Sequence, residues 1–589
     1  MPPSSAADFQ FFHGGVQMIK QLAKCVGQYK KQTILTPAFV ALEVVMEVVI
    51  PLVMASLIDK GIDAGDMGYI VRIGLVLLGC AALSMLFGVL SGYYAAESSA
   101  GFARNLRRNM FYNVQNFSFS NIDKFSTASI VTRLTTDVTN VQMAFMMITR
   151  IAVRCPLMLV FSLIMSFGIN VKISVIFLCA MPVLALGLYL ITTHAHPIFE
   201  RVFKTYDKLN NVVQENLRGV RVVKSFVRED YEREKFGKVS KLIFEDFSKA
   251  ERTIAFGMPL MQTAIYACSL LAAWIGARLI VGGSMTTGQL MSVMTYAMQI
   301  LMSMMMLSMV FVMIVISRAS CQRVCEILAE ESNIKNGPDP VTEVADGSIE
   351  FSGAGFSYQD DPARLCLKNI DLTIRSGETI GILGGTGASK STLVQLIPRL
   401  YDTTVGSVKV GGVDVRDYDL RTLRDAVAMV LQKNELFSGT IKDNLRWGCE
   451  NATDEEMVEA CRLAQADEFV REMPDGYDTH IEQGGTNVSG GQKQRLCIAR
   501  ALLKKPKILI LDDSTSAVDT RTDALIRRGF REYIPETTKL IIAQRVSSVQ
   551  DADRIIVLDN GEIADVGSHE ELLGRCAIYQ EVYLSQQKD

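Results

Sequence analysis

A glycine-rich segment has the composition of a loop that binds phosphate groups. Residues 378–393 read ETIGILGGTGASKSTL, a β-type run followed by a glycine-rich turn and the start of a helix. In that context backbone N–H groups bind phosphate, Lys390 reaches the terminal phosphate oxygens and Ser391 ligates Mg²⁺. The pattern G-x-x-x-x-G-K-S begins at Gly384, but Ser389 stands where glycine is expected. The segment predicts a phosphate-binding loop with one departure.

Two later segments add to this chemistry. The run KILILDDSTSAVD places four apolar residues before Asp512, an arrangement by which a buried strand delivers a carboxylate to Mg²⁺. Between the glycine-rich segment and this run lies NVSGGQKQRLCIARAL, with residues 489–492 at the beginning of a predicted helix. Three motifs in one order are more specific than any one of them.

Further motifs extend this set along the chain. They are Tyr358 in FSY, Gln432 in VLQKNELFSGTIKDNL, and IIAQR, with ENLRGVRVVKSF and DKFSTASIVTRLTTDV nearer the N-terminus. Through these motifs nearly the whole chain resembles an ABC exporter half-transporter of the multidrug type. The resemblance implies a multi-domain protein, with an all-α six-helix transmembrane domain followed by an α/β P-loop ATP-binding cassette domain. It also implies ATP and Mg²⁺ as cofactors.

The resemblance assigns a role to each matched residue of the nucleotide site. Tyr358 is expected to stack on adenine, and Gln432 to contact Mg²⁺ where the membrane helices meet the cassette. The implied ATP-binding positions are Tyr358, Gly384, Gly385, Thr386, Gly387, Ala388, Ser389, Lys390, Ser391, Thr392, Gln432 and Asp512. The implied metal ligands are Ser391, Gln432 and Asp512.

A second set of matched residues is expected to serve the nucleotide of another chain. In this family two cassettes stack head to tail, and each signature helix closes over the ATP held by its partner. The signature residues here are Ser489, Gly490, Gly491 and Gln492. Asp519, at the end of SAVD, is expected to communicate across the same interface.

Two catalytic positions depart from the family pattern. Asp513 stands where the family has a catalytic glutamate, and its side chain is one methylene shorter. A carboxylate withdrawn by about 1 Å can cost ~10²-fold in rate. Gln544 stands where the family has a histidine that senses the γ-phosphate, and glutamine can neither carry a positive charge nor relay a proton.

Ser389, Asp513 and Gln544 all fall on the nucleotide site of this chain, whereas the signature VSGGQ is intact. This distribution resembles the degenerate half of heterodimeric ABC exporters, in which one composite site hydrolyses ATP and the other mainly binds it. The alternative is a homodimer in which Asp513 is a working base.

Composition agrees with a membrane protein of several domains. The chain has 589 residues, 49% of them hydrophobic, and a mean hydropathy of +0.22, which is high for a soluble protein. A net charge of −3 gives no reason to expect a nucleic-acid partner. The twelve cysteines lack paired metal-ligand or disulfide spacing, including Cys321 and Cys325, which lie one helical turn apart.

Six segments are long and apolar enough to cross a bilayer. They are residues 33–57, 70–94, 151–169, 173–191, 254–280 and 290–316. The long connections after the second and fourth are rich in Arg and Lys, so the positive-inside rule places them and both termini in the cytoplasm. The predicted domains are an N-terminal segment with a membrane-surface helix (1–32), the transmembrane domain (33–317), a linker (318–348) and the cassette (349–589).

Polar and methionine side chains mark a candidate substrate path. Glu43 and Glu47 share one face of the first span, and Arg154 with Arg150 lies at the start of the third. Structural pairing and substrate contact both remain open for these charges. The methionines of the last span share one face, a pattern of helix packing or of an adaptable lining for apolar substrates. Those in the candidate path are Met298, Met302 and Met305.

The leading functional interpretation is ATP-driven export of amphipathic or apolar compounds by alternating access. Closure of the cassettes would reach the membrane through the cytoplasmic helix ends near 120–123 and 213–216. The expected partners are a second half-transporter, the lipid bilayer, and a small amphipathic, lipid or peptide substrate. The expected location is the plasma (inner) membrane, with the cassette in the cytoplasm. An importer of exporter architecture and a largely non-hydrolytic regulatory subunit are the alternatives.

Overall fold

The computed structural model describes residues 18–514 and 518–587. Their contacts divide the chain into two units. The first contains the described residues up to Gln115 together with Thr127–Glu330. The second contains Asn116–Ser126 together with the described residues from Glu331 onward. The expected membrane-surface helix begins outside the described residues, and residues 18–24 are helical.

Long apolar runs make the first unit entirely helical. Between residues 30 and 330 the α-helices are, in chain order, α1 (Lys30–Leu57), α2 (Met67–Gln115), α3 (Phe119–Lys124), α4 (Thr127–Thr132), α5 (Val138–Ile169), α6 (Val171–Arg218), α7 (Val220–Ser225), α8 (Glu229–Ala255), α9 (Gly257–Val281) and α10 (Thr287–Ala329). Of these, α3 lies in the second unit. Among the described residues, six helical stretches are long and apolar enough to cross a membrane. They include all six predicted spans, and the chain is a multi-pass membrane protein.

Side chains of α10 complete the hydrogen bonding of α1 where proline interrupts it. Pro51 has no N–H, so the Glu47 carbonyl, one turn earlier, lacks its helical donor. Gln299 Nε2 donates to that oxygen at 3.4 Å, and the Tyr296 hydroxyl donates to the Val48 carbonyl at 2.7 Å. Backbone groups inside an apolar unit need such partners, so these bonds fix α1 against α10.

The tips of the two long connections differ from each other. α3 begins after Ser118, whose side chain forms a capping box with Asn121. In the second connection α6 continues through Arg218, and the chain then turns at Gly219 into α7. The predicted transmission point at 213–216 therefore lies inside α6, because the helical pattern continues for several residues beyond it. Residues 318–329, assigned to the linker from sequence, likewise continue α10.

Alternating strands and helices build the second unit. Its strands are β1 (Ile349–Phe356), β2 (Leu367–Ile374), β3 (Thr379–Gly384), β4 (Val405–Val410), β5 (Val413–Asp414), β6 (Val427–Val430), β7 (Gly439–Thr440), β8 (His480–Ile481), β9 (Ile508–Asp512), β10 (Thr538–Ile542), β11 (Arg554–Asp559) and β12 (Glu562–Gly567). Its further α-helices are α11 (Lys390–Gln395), α12 (Leu420–Ala426), α13 (Ile441–Arg446), α14 (Asp454–Leu463), α15 (Asp467–Glu472), α16 (Gly490–Leu503), α17 (Thr520–Tyr533), α18 (His569–Arg575) and α19 (Ala577–Gln586). The predicted fold class is confirmed.

The central sheet brings three predicted site segments to one edge. Its order is β12-β11-β3-β10-β9-β6, and β11, β3, β10, β9 and β6 are parallel. The carboxyl ends of neighbouring parallel strands meet at the same edge, where α/β proteins bind ligands. Gly384 ends β3 and Asp512 ends β9, while Gln544 follows β10 by two residues. A four-stranded sheet, β2-β1-β4-β5, accompanies this central one.

Candidate functional site

The loop between β3 and α11 encloses a cavity at the sheet edge. Gly384 has φ +158°, and a Cβ at this position would lie 2.3 Å from the Leu558 carbonyl oxygen. No side chain fits there without displacing β11, so the position requires glycine. Gly387, at φ +85°, continues the turn. Gly384 thus permits the close approach of the loop to β11, and Gly387 permits the left-handed turn.

Ser389 occupies the position where the pattern expects glycine. Its φ is +64°, in the left-handed region, which costs a non-glycine residue about 1–2 kcal/mol. Its hydroxyl donates to the Cys366 carbonyl oxygen at 2.9 Å. This bond offsets part of the strain, and the loop keeps the left-handed conformation that glycine adopts readily.

Lys390 extends along the loop toward the carboxylates of the site. Its Nζ donates to the carbonyl oxygens of Gly384 at 2.8 Å and of Gly385 at 2.9 Å. Burial lowers the pKa of the Lys390 ammonium, and the nearby carboxylates of Asp513 and Asp512 oppose that shift. The amine is thus held at the loop by acceptors that a phosphate oxygen could replace.

Ser391 and Asp512 form the candidate Mg²⁺ site. The Ser391 hydroxyl donates to Asp512 Oδ1 at 2.9 Å, and burial raises the pKa of Asp512 while this bond opposes the shift. Both are hard oxygen ligands, as Mg²⁺ prefers, and Mg²⁺ at phosphate sites needs only one or two protein ligands besides phosphate and water. The described residues contain no cluster of three or more His, Cys, Asp or Glu side chains suited to a metal. The donor set therefore fits Mg²⁺ bound together with a phosphate ligand.

Asp513 lies between the two glutamines of the site. Its Oδ2 accepts from Gln544 Nε2 at 2.7 Å and from Gln432 Nε2 at 3.4 Å. The backbone has φ +49°, a left-handed conformation that aspartate tolerates, and its N–H donates to the Ile542 carbonyl at 3.0 Å. The structure thus brings both departures at catalytic positions into direct contact with each other.

These side chains line one cavity of about 490 Å³, within the ~300–1,000 Å³ usual for ligand pockets. Its lining includes Gly384, Gly385, Thr386, Gly387, Ala388, Ser389, Lys390, Ser391, Thr392, Gln432, Asp512, Asp513, Gln544 and Val582. Sequence reasoning missed Val582 of α19, since no motif covers that helix. It also missed Gln586, which donates to the Gln544 carbonyl and accepts from the Val546 N–H, both at 2.8 Å.

Comparison with known proteins assigns both units to a family. Residues 33–304 match the ABC transporter transmembrane region, and residues 367–516 match the ABC transporter model. The uncharacterized ABC transporter ATP-binding protein YfiB of Bacillus subtilis is 37% identical over 92% of this chain and 94% of its own. The ATP-dependent lipid A-core flippase of Desulfotalea psychrophila is 32% identical over 90% of this chain and 92% of its own. A solved bacterial Atm1-family ABC exporter with ATP bound has a TM-score of 0.81 at 24% identity, covering 95% of this chain and 99% of that one.

The chain belongs to the ABC exporter half-transporters. Its signature residues lie outside the cavity just described: Ser489 is the N-cap of α16, accepts from the Gln492 N–H and forms a capping box with that residue. Ser489 and Gly490 are exposed to solvent. Asp519 is the N-cap of α17 and accepts from the Thr522 N–H at 2.9 Å. In this ABC exporter chain the signature forms a capped helix start and does not line the cavity of its own phosphate loop.

Tyr358 presents an aromatic ring close to the phosphate loop. The side chain is 55% exposed, and its hydroxyl is hydrogen-bonded to Thr392 Oγ1 at 2.9 Å. Phe356 meets it edge-on, with the ring centroids 4.9 Å apart. A face of the ring therefore remains accessible to a planar ligand such as adenine.

The three charged residues of the candidate path form an ion cluster in the first unit. Arg154 Nη1 lies 2.5 Å from Glu43 Oε1, and Nη2 lies 2.7 Å from Glu47 Oε1. The Ser91 hydroxyl donates to Glu43 Oε2 at 3.2 Å. Sequence analysis left open whether these charges pair with one another or contact substrate, and in the structure they pair. Two carboxylates therefore share one guanidinium.

The candidate-path methionines Met298, Met302 and Met305 and a nearby cavity occupy different faces of α10. Met298, Met302 and Met305 are all exposed on this chain. A cavity of about 900 Å³ lies instead among α5, α6 and α10, and its lining is mostly apolar. The polar side chains in its lining are Tyr189, Thr192, Thr193 and Ser308. The membrane unit thus offers an apolar chamber with polar groups, which sequence periodicity did not reveal.

Proposed function

We propose that this ABC exporter chain uses ATP with Mg²⁺ to move an amphipathic or apolar compound out of the cytoplasm, as one half of a two-chain transporter. The observation that carries the proposal is the convergence of the phosphate loop, the Ser391–Asp512 pair and the Asp513–Gln544 pair on one cavity. Mg²⁺ would be held by Ser391, Asp512 and Gln432, and would neutralise phosphate charge when bound. Lys390 would exchange its loop carbonyls for phosphate oxygens.

The site of this chain is proposed to bind ATP more readily than it hydrolyses it. The Asp513 side chain is one methylene shorter than the family's glutamate, and two amide groups already donate to its Oδ2. These two donors engage the lone pairs of Oδ2 that would otherwise accept a hydrogen bond from the attacking water. Gln544 offers an amide in place of an ionisable ring. All three properties act on turnover and leave the phosphate-binding loop intact.

The signature is proposed to serve the nucleotide of a partner chain. Ser489 and Gly490 stand exposed at the start of α16, a fourteen-residue helix whose N-terminus favours anions. An intact signature beside an impaired catalytic pair supports a heterodimer in which the partner supplies the catalytic glutamate and histidine. The homodimer differs in that Asp513 would have to act as the base in both sites.

Exposed apolar groups support assembly of two chains. At the tip of the second connection Phe226 is 72% and Val227 is 81% exposed. In the second unit Phe437 stacks on Trp447, with the ring centroids 4.2 Å apart, beside a groove of about 380 Å³. Apolar patches of this kind mark protein–protein contacts. We propose that the tip of each chain docks on the corresponding groove of its partner.

The proposed substrate class follows from the membrane unit. The cavity among α5, α6 and α10 combines a large apolar wall with four polar side chains, which suits a molecule with an apolar body and a polar end. The relative from Desulfotalea psychrophila is named as a lipid flippase, which favours an amphiphile of lipid type. Location in the plasma membrane is part of the proposal.

Two measurements test this function. The chain purified alone should bind a fluorescent ATP analogue but release phosphate slowly, and addition of its partner should raise the rate. Strong ATPase activity of the chain without any partner would contradict the impaired-site assignment. Uptake into inside-out vesicles should depend on ATP; accumulation only in right-side-out vesicles would indicate an importer.

A further inference from the structure

An aromatic cluster of the second unit packs against Tyr358, the ring proposed to stack on adenine. Tyr401 is 8% exposed, and its ring lies edge-on to Tyr358, with the centroids 5.4 Å apart and the planes at 86°. Phe356 contacts the same ring, with a centroid distance of 5.3 Å. Tyr358, the ring proposed to stack on adenine, is hydrogen-bonded to Thr392 next to the phosphate loop. Tyr401 therefore contacts a residue of the proposed nucleotide site.

The other side of Tyr401 contacts the tip of the first long connection. Its hydroxyl donates to Asp123 Oδ2 at 2.6 Å, and its ring meets Phe119 edge-on with the centroids 6.0 Å apart. A hydroxyl-to-carboxylate bond belongs to the stronger, charge-assisted class. Burial, and then the Asp123 carboxylate, raise the pKa of Tyr401, so the hydroxyl stays a donor at neutral pH.

We propose that Tyr401 is a positioning residue that transmits nucleotide binding at Tyr358 to the segment Asn116–Ser126. The proposal rests on the proposed function, because it presupposes ATP at Tyr358 and coupling through this segment. Stacking on adenine would fix the Tyr358 ring, and Tyr401 lies edge-on between that ring and Phe119. Packed aromatic rings cannot shift independently, so a change at Tyr358 reaches Asp123 through the Tyr401 ring and hydroxyl.

Two other hydrogen bonds of the segment involve neither Tyr401 nor Tyr358. The Ser118 hydroxyl donates to Asn333 Oδ1 at 2.6 Å, and Asn121 Nδ2 donates to the Glu331 carbonyl at 3.2 Å. These bonds hold the segment to the chain that follows α10, and neither involves the nucleotide site. Loss of the Tyr401 hydroxyl should therefore leave the segment attached while removing its response to nucleotide.

The test is amide hydrogen exchange on the full-length chain in lipid nanodiscs, with and without MgATP. In the wild type MgATP should slow exchange both at 384–392 and at 116–126. Tyr401→Phe keeps the ring but removes the hydroxyl. It should keep the slowing at 384–392 within about twofold, and should reduce the slowing at 116–126 by about fivefold or more, as expected for one charge-assisted bond.

Tyr418→Phe is the matched control. Tyr418 is fully buried in the same unit, and its hydroxyl donates to the Val410 carbonyl at 2.9 Å, away from the segment. This variant should respond to MgATP at both places. Asp123→Ala removes the acceptor without altering the buried cluster, so it should reproduce the Tyr401→Phe result even if Tyr401→Phe folds poorly.

The outcomes separate the two levels of the argument. A wild type with no slowing at 384–392 would contradict ATP binding at this site and the transmission with it. Slowing at 384–392 combined with a retained response at 116–126 in Tyr401→Phe and in Asp123→Ala would overturn the transmission alone. Equal loss of the response in the Tyr418→Phe control would also overturn it, since any lost buried hydroxyl would then suffice.

Discussion

Replacing Asp513 by glutamate and Gln544 by histidine together should restore measurable turnover at the nucleotide site of this chain, whereas either change alone should do little. The two side chains are in direct contact, because Gln544 Nε2 donates to Asp513 Oδ2 at 2.7 Å. A single Asp513→Glu change extends the carboxylate, but Gln544 still donates its amide to it and the imidazole of the family's histidine is still absent. A single Gln544→His change supplies the ring but leaves the carboxylate short.

The expected magnitude comes from the reach of the carboxylate. A methylene moves it by about 1 Å, and misplacement on that scale is worth ~10²-fold, or about 2.7 kcal/mol of barrier. The Gln544 amide would still compete with the attacking water for the carboxylate, so Asp513→Glu alone should raise the rate by less than about tenfold. The double variant should gain about 10²-fold, with Ser389 limiting any further recovery.

The assay requires turnover at the other composite site to be suppressed. Ser489→Arg in this chain places a bulky cation at the start of α16, where the proposed partner nucleotide would be capped. In complexes purified with the partner and carrying this change, phosphate release reports the site of Asp513. If the Ser489→Arg background already hydrolysed ATP as fast as the double variant, Asp513 would be a competent base and the reasoning would be wrong. A full gain from Asp513→Glu alone would show instead that Gln544 is not limiting.

Three further predictions concern other parts of the chain. Lys390→Ala should weaken ATP-analogue binding at this site yet leave a measurable ATPase rate, whereas Ser489→Arg should abolish turnover. If both variants lowered the steady-state rate equally while the partner site still bound ATP, ATP hydrolysis at this site would be required for turnover. Arg154→Ala leaves two carboxylates without their cation and should cost about 3–5 kcal/mol of stability, seen as lost folded yield, with Glu43→Gln plus Glu47→Gln restoring it; an unaffected Arg154→Ala yield would contradict the pairing. If the methionine face of α10 contacts substrate, replacing Met298, Met302 and Met305 by alanine should alter the substrate range more than the yield of folded protein. A uniform loss of folded protein would instead indicate that these side chains serve helix packing.

The sequence predicted what depends on local pattern. Six apolar spans, the β3–loop–α11 arrangement and the strand ending at Asp512 follow from composition and spacing, since hydrophobic length and glycine position determine them locally. The second connection continues as a helix through the predicted transmission residues 213–216 to Arg218, because no stop signal precedes Gly219. The contacts of Tyr401 with Asp123 and of Gln586 with Gln544 could not be predicted. They join residues far apart in sequence, and none of the quoted motifs covers Tyr401 or Gln586.

The way the departures fit the fold bears on how the site came to differ from its family. Ser389 takes a left-handed conformation and its hydroxyl is bonded to the Cys366 carbonyl at 2.9 Å. Asp513 also takes a left-handed conformation, and its N–H is bonded to the Ile542 carbonyl at 3.0 Å. Strained positions persist when surrounding groups hold them, and here each has such a partner. A site that had merely lost its function would have no need of a closed loop, a paired lysine and a bonded Ser391–Asp512 pair. The retained phosphate-binding geometry therefore supports the proposal that this site binds ATP during the transport cycle and hydrolyses it slowly.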